Sequence, residues 1–146
     1  MILISHRGNI DGANIELENH PQYLDKAISK GYDVEVDLWL IDNDFFLGHD
    51  EPQYKIDIDW IDVRSHVLWV HCKNTEAIAF LNKHAYDINY FWHQEDTVTL
   101  TSKGFIWAYP GKQPINNSIA VMPELNNDEL TDCIGVCSDN INNYLL

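Results

Sequence analysis

Apolar and polar residues alternate without interruption from Val34 to Leu38, which puts Val34, Val36 and Leu38 on one side and Glu35, Asp37 and the following Trp39 on the other. That period of two predicts a β-strand. Its two carboxylates share a face, about 7 Å apart along a strand rising ~3.3 Å per residue. Like charges so placed repel or share a proton unless a cation lies between them, and hard oxygen ligands suit a divalent ion. A solvated acidic strand face is the plain alternative. Asp42-Asn43-Asp44 is turn chemistry, so Phe45 to Leu47 is predicted to return as a hairpin arm. That arm carries Gly48-His49-Asp50 back toward the mouth that Glu35 and Asp37 face.

Ahead of this hairpin, Met1 to Ser5 is a short apolar run of strand type ending in His6-Arg7-Gly8-Asn9, where Gly8 permits a tight departure. Catalytic groups favour the C-terminal ends of strands in barrels and open α/β folds. Asn9 to Pro21 reads as loop. Asn19 is a candidate cap for a helix with Pro21 in its first turn, Tyr23, Leu24, Ala27 and Ile28 at helical spacing, and Gly31 as terminator. Strand, helix, strand is a β-α-β unit, which pairs its strands in parallel. Residues 51–57 read as loop and Ile58 to Val63 as a helical turn or two. Val67 to Lys73 is a third strand with Trp69, His71 and Lys73 on one side, and Asn74 or Thr75 caps a helix through His84.

From Asn89 onward only short apolar runs follow, at 89–93, 98–101, 105–109, 119–122 and 134–137, with room for one more helical turn at 127–132. About eight strands match the number in a (β/α)8 barrel, but a typical barrel takes ~250 residues and rarely fewer than ~200. The expectation is therefore one α/β domain over residues 1–146. It would be a miniature or incomplete (β/α)8 TIM-like barrel with most second-half helices missing, with an open α/β sheet as the alternative.

Composition narrows the function classes. A hydrophobic content of 45% with five Trp and seven Tyr predicts a packed core. A net charge of −14 argues against an extended nucleic-acid or anionic-membrane surface, which needs Lys and Arg to displace counterions. No apolar run approaches the ~20 residues of a spanning helix, and the N-terminal run meets a charged His-Arg too early for a secretory signal, so the expected location is cytoplasmic. Cys72, Cys133 and Cys137 lack zinc-like or C-x-x-C spacing and read as reduced, packed thiols.

His6-Arg7-Gly8, Glu18-Asn19, Glu35-x-Asp37 after Gly31, the turn at Asp42 to Asp44, and Gly48-His49-Asp50 together resemble the N-terminal pattern of the glycerophosphodiester phosphodiesterases. These belong to the phosphatidylinositol-phospholipase-C-like phosphodiesterase superfamily. The likeness in order and spacing runs over residues 2–50. Gly135-Val136-Cys137-Ser138-Asp139 resembles the family's last strand more faintly, and segments such as Trp92 to Asp96 and Ile106 to Lys112 look closer to a compact bacterial and phage branch.

The resemblance implies His6 and His49 as general acid and base, Arg7 as phosphate ligand, and Glu35 with Asp37 as ligands to a divalent metal, Mg²⁺ or Ca²⁺. Asn9, Lys73 and Trp92 are candidate substrate contacts, and Glu18 and Asp50 candidate supports behind the catalytic groups. One position departs from the family: its third strand usually presents Glu-x-Lys, where this chain has His71-x-Lys73. Imidazole suits Mn²⁺ or Zn²⁺ better than Mg²⁺ or Ca²⁺. His71 is thus either a metal ligand or a hydrogen-bonding pocket residue, and Lys73 either holds phosphate or pairs with Glu35 or Asp37 in place of a metal. Trp39, Trp69, Trp92 and Trp107 line the mouth or fill the core. His93, Lys112, Glu124 and Asp139, at strand ends, contact substrate or make local hydrogen bonds.

The expected function is a metal-dependent phosphodiesterase acting on a small glycerol- or polyol-linked phosphodiester. A lyase that yields only the cyclic phosphate, and a non-catalytic module that binds a phosphorylated ligand, are the alternatives. Small barrels often complete themselves by self-association, so a homodimer is a candidate arrangement that the sequence does not fix.

Overall fold

Ten strands and three α-helices make up the regular structure of residues 1–84 and 87–145, which the computed structural model describes. The strands are β1 (Ile2–His6), β2 (Asp33–Ile41), β3 (Asp44–Leu47), β4 (Tyr54–Ile56), β5 (Leu68–Cys72), β6 (Asn89–Phe91), β7 (Val98–Leu100), β8 (Ile106–Ala108), β9 (Ser118–Val121) and β10 (Gly135–Ser138). The helices are α1 (Pro21–Ser29), α2 (Ile58–Asp62) and α3 (Thr75–His84).

β1 lies between β10 and β2, and β10, β9 and β8 follow one another, all in parallel. On the other side β2 pairs in parallel with β5, and β5 with β6. β3 and β4 run antiparallel beyond the C-terminal half of β2, and β7 antiparallel to β8. The predicted β-α-β unit and hairpin are present. The loop expected at 51–57 holds β4, and the turn expected at 127–132 is not helical; a short 3₁₀ turn, Pro123–Leu125, precedes it.

The expected miniature (β/α)8 barrel does not form. The sheet is a curled, mixed half-barrel, mostly strand, and all three α-helices fall before residue 85. Among the described residues no ladder joins β6 to β8. The curl is nevertheless tight enough for Phe91 of β6 to meet Trp107 of β8, with ring centroids 4.8 Å apart, and for Trp69 of β5 to reach the same ring at 5.7 Å. The departure from a barrel lies in the antiparallel strands β3, β4 and β7 and in the missing ladder between β6 and β8, while the expected lack of second-half helices follows from the connections. Residues 92–97, 101–105 and 109–117 are too short to hold a helix and its two turns, since a helical crossover takes a dozen or more residues.

Two apolar layers result. Val34, Val36 and Leu38 face the helices, packing with Leu24, Ala27, Ile61, Ala77 and Leu81 on the outer side of the sheet. Inside the curl lie Ile4, Trp69, Phe91, Trp107, Ile119, Val121 and Cys137. Each inner residue is followed two positions later by the next side chain on the same face. For five strands those followers are His6, His71, His93, Tyr109 and Asp139, so the apolar floor carries a polar rim at the C-terminal strand ends. No helix among the described residues is long and apolar enough to cross a membrane. All three cysteines are buried free thiols.

Candidate active site

Strand register sets the rim. His6 sits opposite Glu35 on neighbouring parallel strands, and Asp37 opposite His71 on the next pair. Ser5 pairs with Ser138, so the following residues, His6 and Asp139, meet at the ends of β1 and β10. Glu35, Asp37 and His71 are buried, and one ligand atom of each lies within 4.8 Å of the others, a group that could hold a metal ion.

Asp37, fully buried, is the centre of charge. Its Oδ2 accepts from Asn19 Nδ2 at 2.8 Å and lies 3.1 Å from Arg7 Nε and 3.4 Å from His49 Nδ1. Asn19 Oδ1 in turn accepts from the Asp37 amide at 2.9 Å. Oδ1 faces His71 Nδ1 at 3.1 Å and Lys73 Nζ at 3.6 Å, without an aligned hydrogen bond. Burial alone would raise the Asp37 carboxyl, but the contacts from His49 and His71 and the charge on Arg7 hold it well below the usual carboxylate range. Glu35 is shifted the other way. Burial and the neighbouring Asp37 charge raise it, and its Oε2 has no hydrogen-bond partner.

Arg7 spans the rim. Its guanidinium reaches Glu18 Oε2 at 3.1 Å and His49 Nε2 at 3.3 Å as well as Asp37. Both Arg7 (φ 52°) and Asn19 (φ 63°) are left-handed, a conformation that costs about 1–2 kcal/mol at a residue other than glycine. They are joined by the Asn19 amide donating to the Arg7 carbonyl at 3.1 Å. The Asn19 side chain, expected to cap α1, is therefore used on Asp37, and the cap is His20, whose Nδ1 accepts from the Gln22 amide.

His6 Nδ1 is 2.7 Å from Asp139 Oδ1, and its Nε2 faces Glu35 Oε2 at 3.8 Å. Burial would lower the His6 imidazole, yet the Asp139 bond and the Glu35 charge raise it; the same bond outweighs burial at Asp139 and lowers that carboxyl. Asn9, expected at the substrate, is buried, and its amide is engaged by Glu18 Oε1 at 2.9 Å and Asp139 Oδ1 at 2.7 Å. Glu18 thus bonds both Arg7 and Asn9. Asp50 lies 3.6 Å from His49 Nε2 with its side chain exposed.

Two cavities meet over this rim. A small one, about 70 Å³, is lined by His6, Arg7, Glu35, His49 and His71, with Tyr109 and Trp107 among its walls. A wider one, about 400 Å³, is bordered by Trp39, His49, Lys73, Trp92 and Gln94. Trp69 and Trp107 belong to the core. Asp139 and His93 are fixed here by specific contacts, His93 through its carbonyl to His71 Nε2 at 3.1 Å. Tyr109 was not singled out by sequence; its ring lies tilted against that of His93, centroids 4.2 Å apart, and burial pushes its hydroxyl far above the ordinary tyrosine value. The alternation that placed His71 two after Trp69 also places Tyr109 two after Trp107, and that is the signal that could have found it.

At the rim four carboxylates, the buried Glu18, Glu35 and Asp37 and the partly exposed Asp139, face two permanent cations, Arg7 and Lys73, both partly exposed. The imbalance is two negative charges, which a divalent ion or protonated imidazoles would offset. The unpartnered buried oxygen of Glu35 fits the first of these. No protein-family model, curated protein or solved structure matches this chain.

Proposed function

We propose that this chain is a metal-dependent phosphodiesterase that cleaves a small glycerol- or polyol-linked phosphodiester. The observation that carries this reading is the placing of two imidazoles, His6 and His49, beside one guanidinium and one buried Glu-Asp-His group at a single mouth. A phosphodiester is a stable monoanion, so its cleavage needs charge stabilisation, an activated nucleophile and a protonated leaving group.

Arg7 supplies a planar donor set for two phosphoryl oxygens. A divalent ion on Glu35, Asp37 and His71 would neutralise further charge at the phosphoryl group. His6 holds its Nδ1 proton on Asp139, which leaves Nε2 facing the cavity as acid or base. His49, more exposed and 3.3 Å from Arg7, serves as the partner. Trp39, Trp92 and Lys73 border the wider cavity, which takes the alcohol portion of the substrate. The resemblance points to Mg²⁺ or Ca²⁺, the imidazole of His71 to Mn²⁺ or Zn²⁺.

One observation favours a binding module instead: Asp37 is already approached by Arg7, His49, His71 and Lys73, and so is electrostatically served without an ion. Hydrolysis of bis(p-nitrophenyl) phosphate and of glycerophosphodiesters across Mg²⁺, Ca²⁺, Mn²⁺ and Zn²⁺ separates the two. Metal-dependent turnover abolished in both His6→Ala and Glu35→Ala supports the enzyme. A folded protein with no turnover in any metal supports the module.

A further inference from the structure

We infer that His71 is a nitrogen ligand of the cation site and that the site selects a transition ion, of the Mn²⁺ to Zn²⁺ series, over Mg²⁺ and Ca²⁺. The inference deepens the metal part of the reading above and does not depend on catalysis.

The tautomer of His71 is set by its neighbours. Its Nε2 lies 3.1 Å from the His93 carbonyl, an atom that only accepts, so Nε2 carries the proton. Nδ1 is then the nitrogen aimed at Asp37, and a cation bound there would take the place of a proton between the two. Metal-bound histidines are commonly arranged in this way, one nitrogen donating to a backbone carbonyl while the other is free to ligate. The ring is also held in place, stacked on Phe91 at 5.2 Å with planes 6° apart and on His93 at 5.1 Å.

Nδ1 approaches Asp37 Oδ1 to 3.1 Å, yet that oxygen receives no aligned hydrogen bond. Two ligand atoms, each ~2.1 Å from a common ion, lie about 3.0–3.4 Å apart; the Asp37–His71 pair already does, while the three together span 4.8 Å, so Glu35 has to close on the ion as it binds. Asp37 is divided to match: Oδ2 is anchored by Asn19, while Oδ1 is left toward the gap. Glu35 Oε2, also buried, has no hydrogen-bond partner. Two hard oxygens and one imidazole suit Mn²⁺ and the ions that follow it in affinity for nitrogen; an ion that demands oxygen loses a ligand here.

The test is metal binding by the full chain without substrate, by equilibrium dialysis and calorimetry with Mn²⁺, Zn²⁺, Mg²⁺ and Ca²⁺, on wild type, Glu35→Gln and His71→Glu. The expected result is one equivalent of Zn²⁺ or Mn²⁺ bound at least about tenfold tighter than Mg²⁺ or Ca²⁺, lost in Glu35→Gln. His71→Glu should swing the preference toward Mg²⁺. Should that variant fail to fold, wild type loaded with Co²⁺ answers the same question. It should show one hyperfine-shifted, slowly exchanging imidazole N–H, that of Nε2 bonded to the His93 carbonyl. Equal or tighter Mg²⁺ binding, Zn²⁺ binding that survives Glu35→Gln, absence of the shifted proton, or no stoichiometric binding would overturn the inference. The last outcome leaves Lys73 as the counter-charge. Tight Zn²⁺ binding with no phosphodiester turnover would retain this inference and remove the catalytic one; turnover in a protein that binds Mg²⁺ as tightly as Zn²⁺ would do the reverse.

Discussion

His6 Nδ1 and Asp139 Oδ1 are 2.7 Å apart, although 133 positions separate them in the chain. The bond orients the imidazole and favours its charged form. Asp139→Asn keeps a polar group of the same shape and removes the charge. The His6 imidazole should then titrate at lower pH, followed by ¹⁵N-detected NMR of the ring. If the proposed chemistry holds, turnover should fall about 10²-fold, the low end of what a misplaced general acid or base costs. An unchanged His6 titration would mean that the bond is only structural.

Asn19 offers a way to separate strain from bonding. Its side chain makes two buried bonds to Asp37, and its backbone is left-handed. Asn19→Gly relieves the backbone but leaves the Asp37 amide unpaired, at a cost of about 1–3 kcal/mol. Asn19→Ala adds about 1–2 kcal/mol of left-handed strain. Urea unfolding should rank wild type, glycine variant and alanine variant in that order of stability; equal losses would show that the backbone conformation relaxes.

Glu35 and Asp37 have opposite pH signatures. Asp37 is held below its unfolded value, so its stabilisation is present above the ordinary aspartate range near pH ~4 and is lost as pH falls through the lower folded value. Glu35 is raised by burial and by Asp37, so it costs the metal-free fold stability as pH rises from the ordinary glutamate range through its higher folded value, and the full cost is present above that. Glu35→Gln should therefore raise the melting temperature of the metal-free protein at pH 7–8. It should also abolish any rise on adding a divalent ion. Thermal unfolding with and without EDTA checks both signs, and a Glu35→Gln variant less stable than metal-free wild type would refute the first.

Gly48 holds the His49 turn in place. Its φ is 152°, and a Cβ there would lie 2.1 Å from the Glu51 carbonyl oxygen; Trp39 Nε1 also donates to the Gly48 carbonyl at 2.7 Å. Gly48→Ala must displace this turn, and a loss of ~2 kcal/mol or more is expected, as for other overpacked sites. His49 should move with it, so any turnover should drop by more than stability alone explains. Chemical denaturation and kinetics on the same sample compare the two.

Much of the local structure was legible in the chain. Strict alternation at Val34 to Leu38 was enough to set Glu35 and Asp37 on the inner face, because strand period is a property of the backbone. The same holds for Trp69, His71 and Lys73. Helices α1 and α3 followed from helical spacing, since a helix that buries one face must repeat its apolar residues at about 3.6. The hairpin from Asp42 to Leu47 was written in its turn residues.

Partners remote in sequence and the form of the sheet were decided only by tertiary structure. Nothing local shows that Asp139 meets His6, that Asn19 turns from capping α1 to holding Asp37, or that the His93 carbonyl sets the His71 tautomer. Those contacts depend on register between strands, and register is fixed by packing of whole faces. The barrel expectation failed for a related reason. Strand number can be counted from apolar runs, but strand direction and closure cannot: β3, β4 and β7 run antiparallel, and among the described residues no ladder joins β6 to β8. Sequence determined which residues face inward; the curl of the sheet determined which of them touch, because side chains two apart on a strand meet across it only when the strands bend around a common floor.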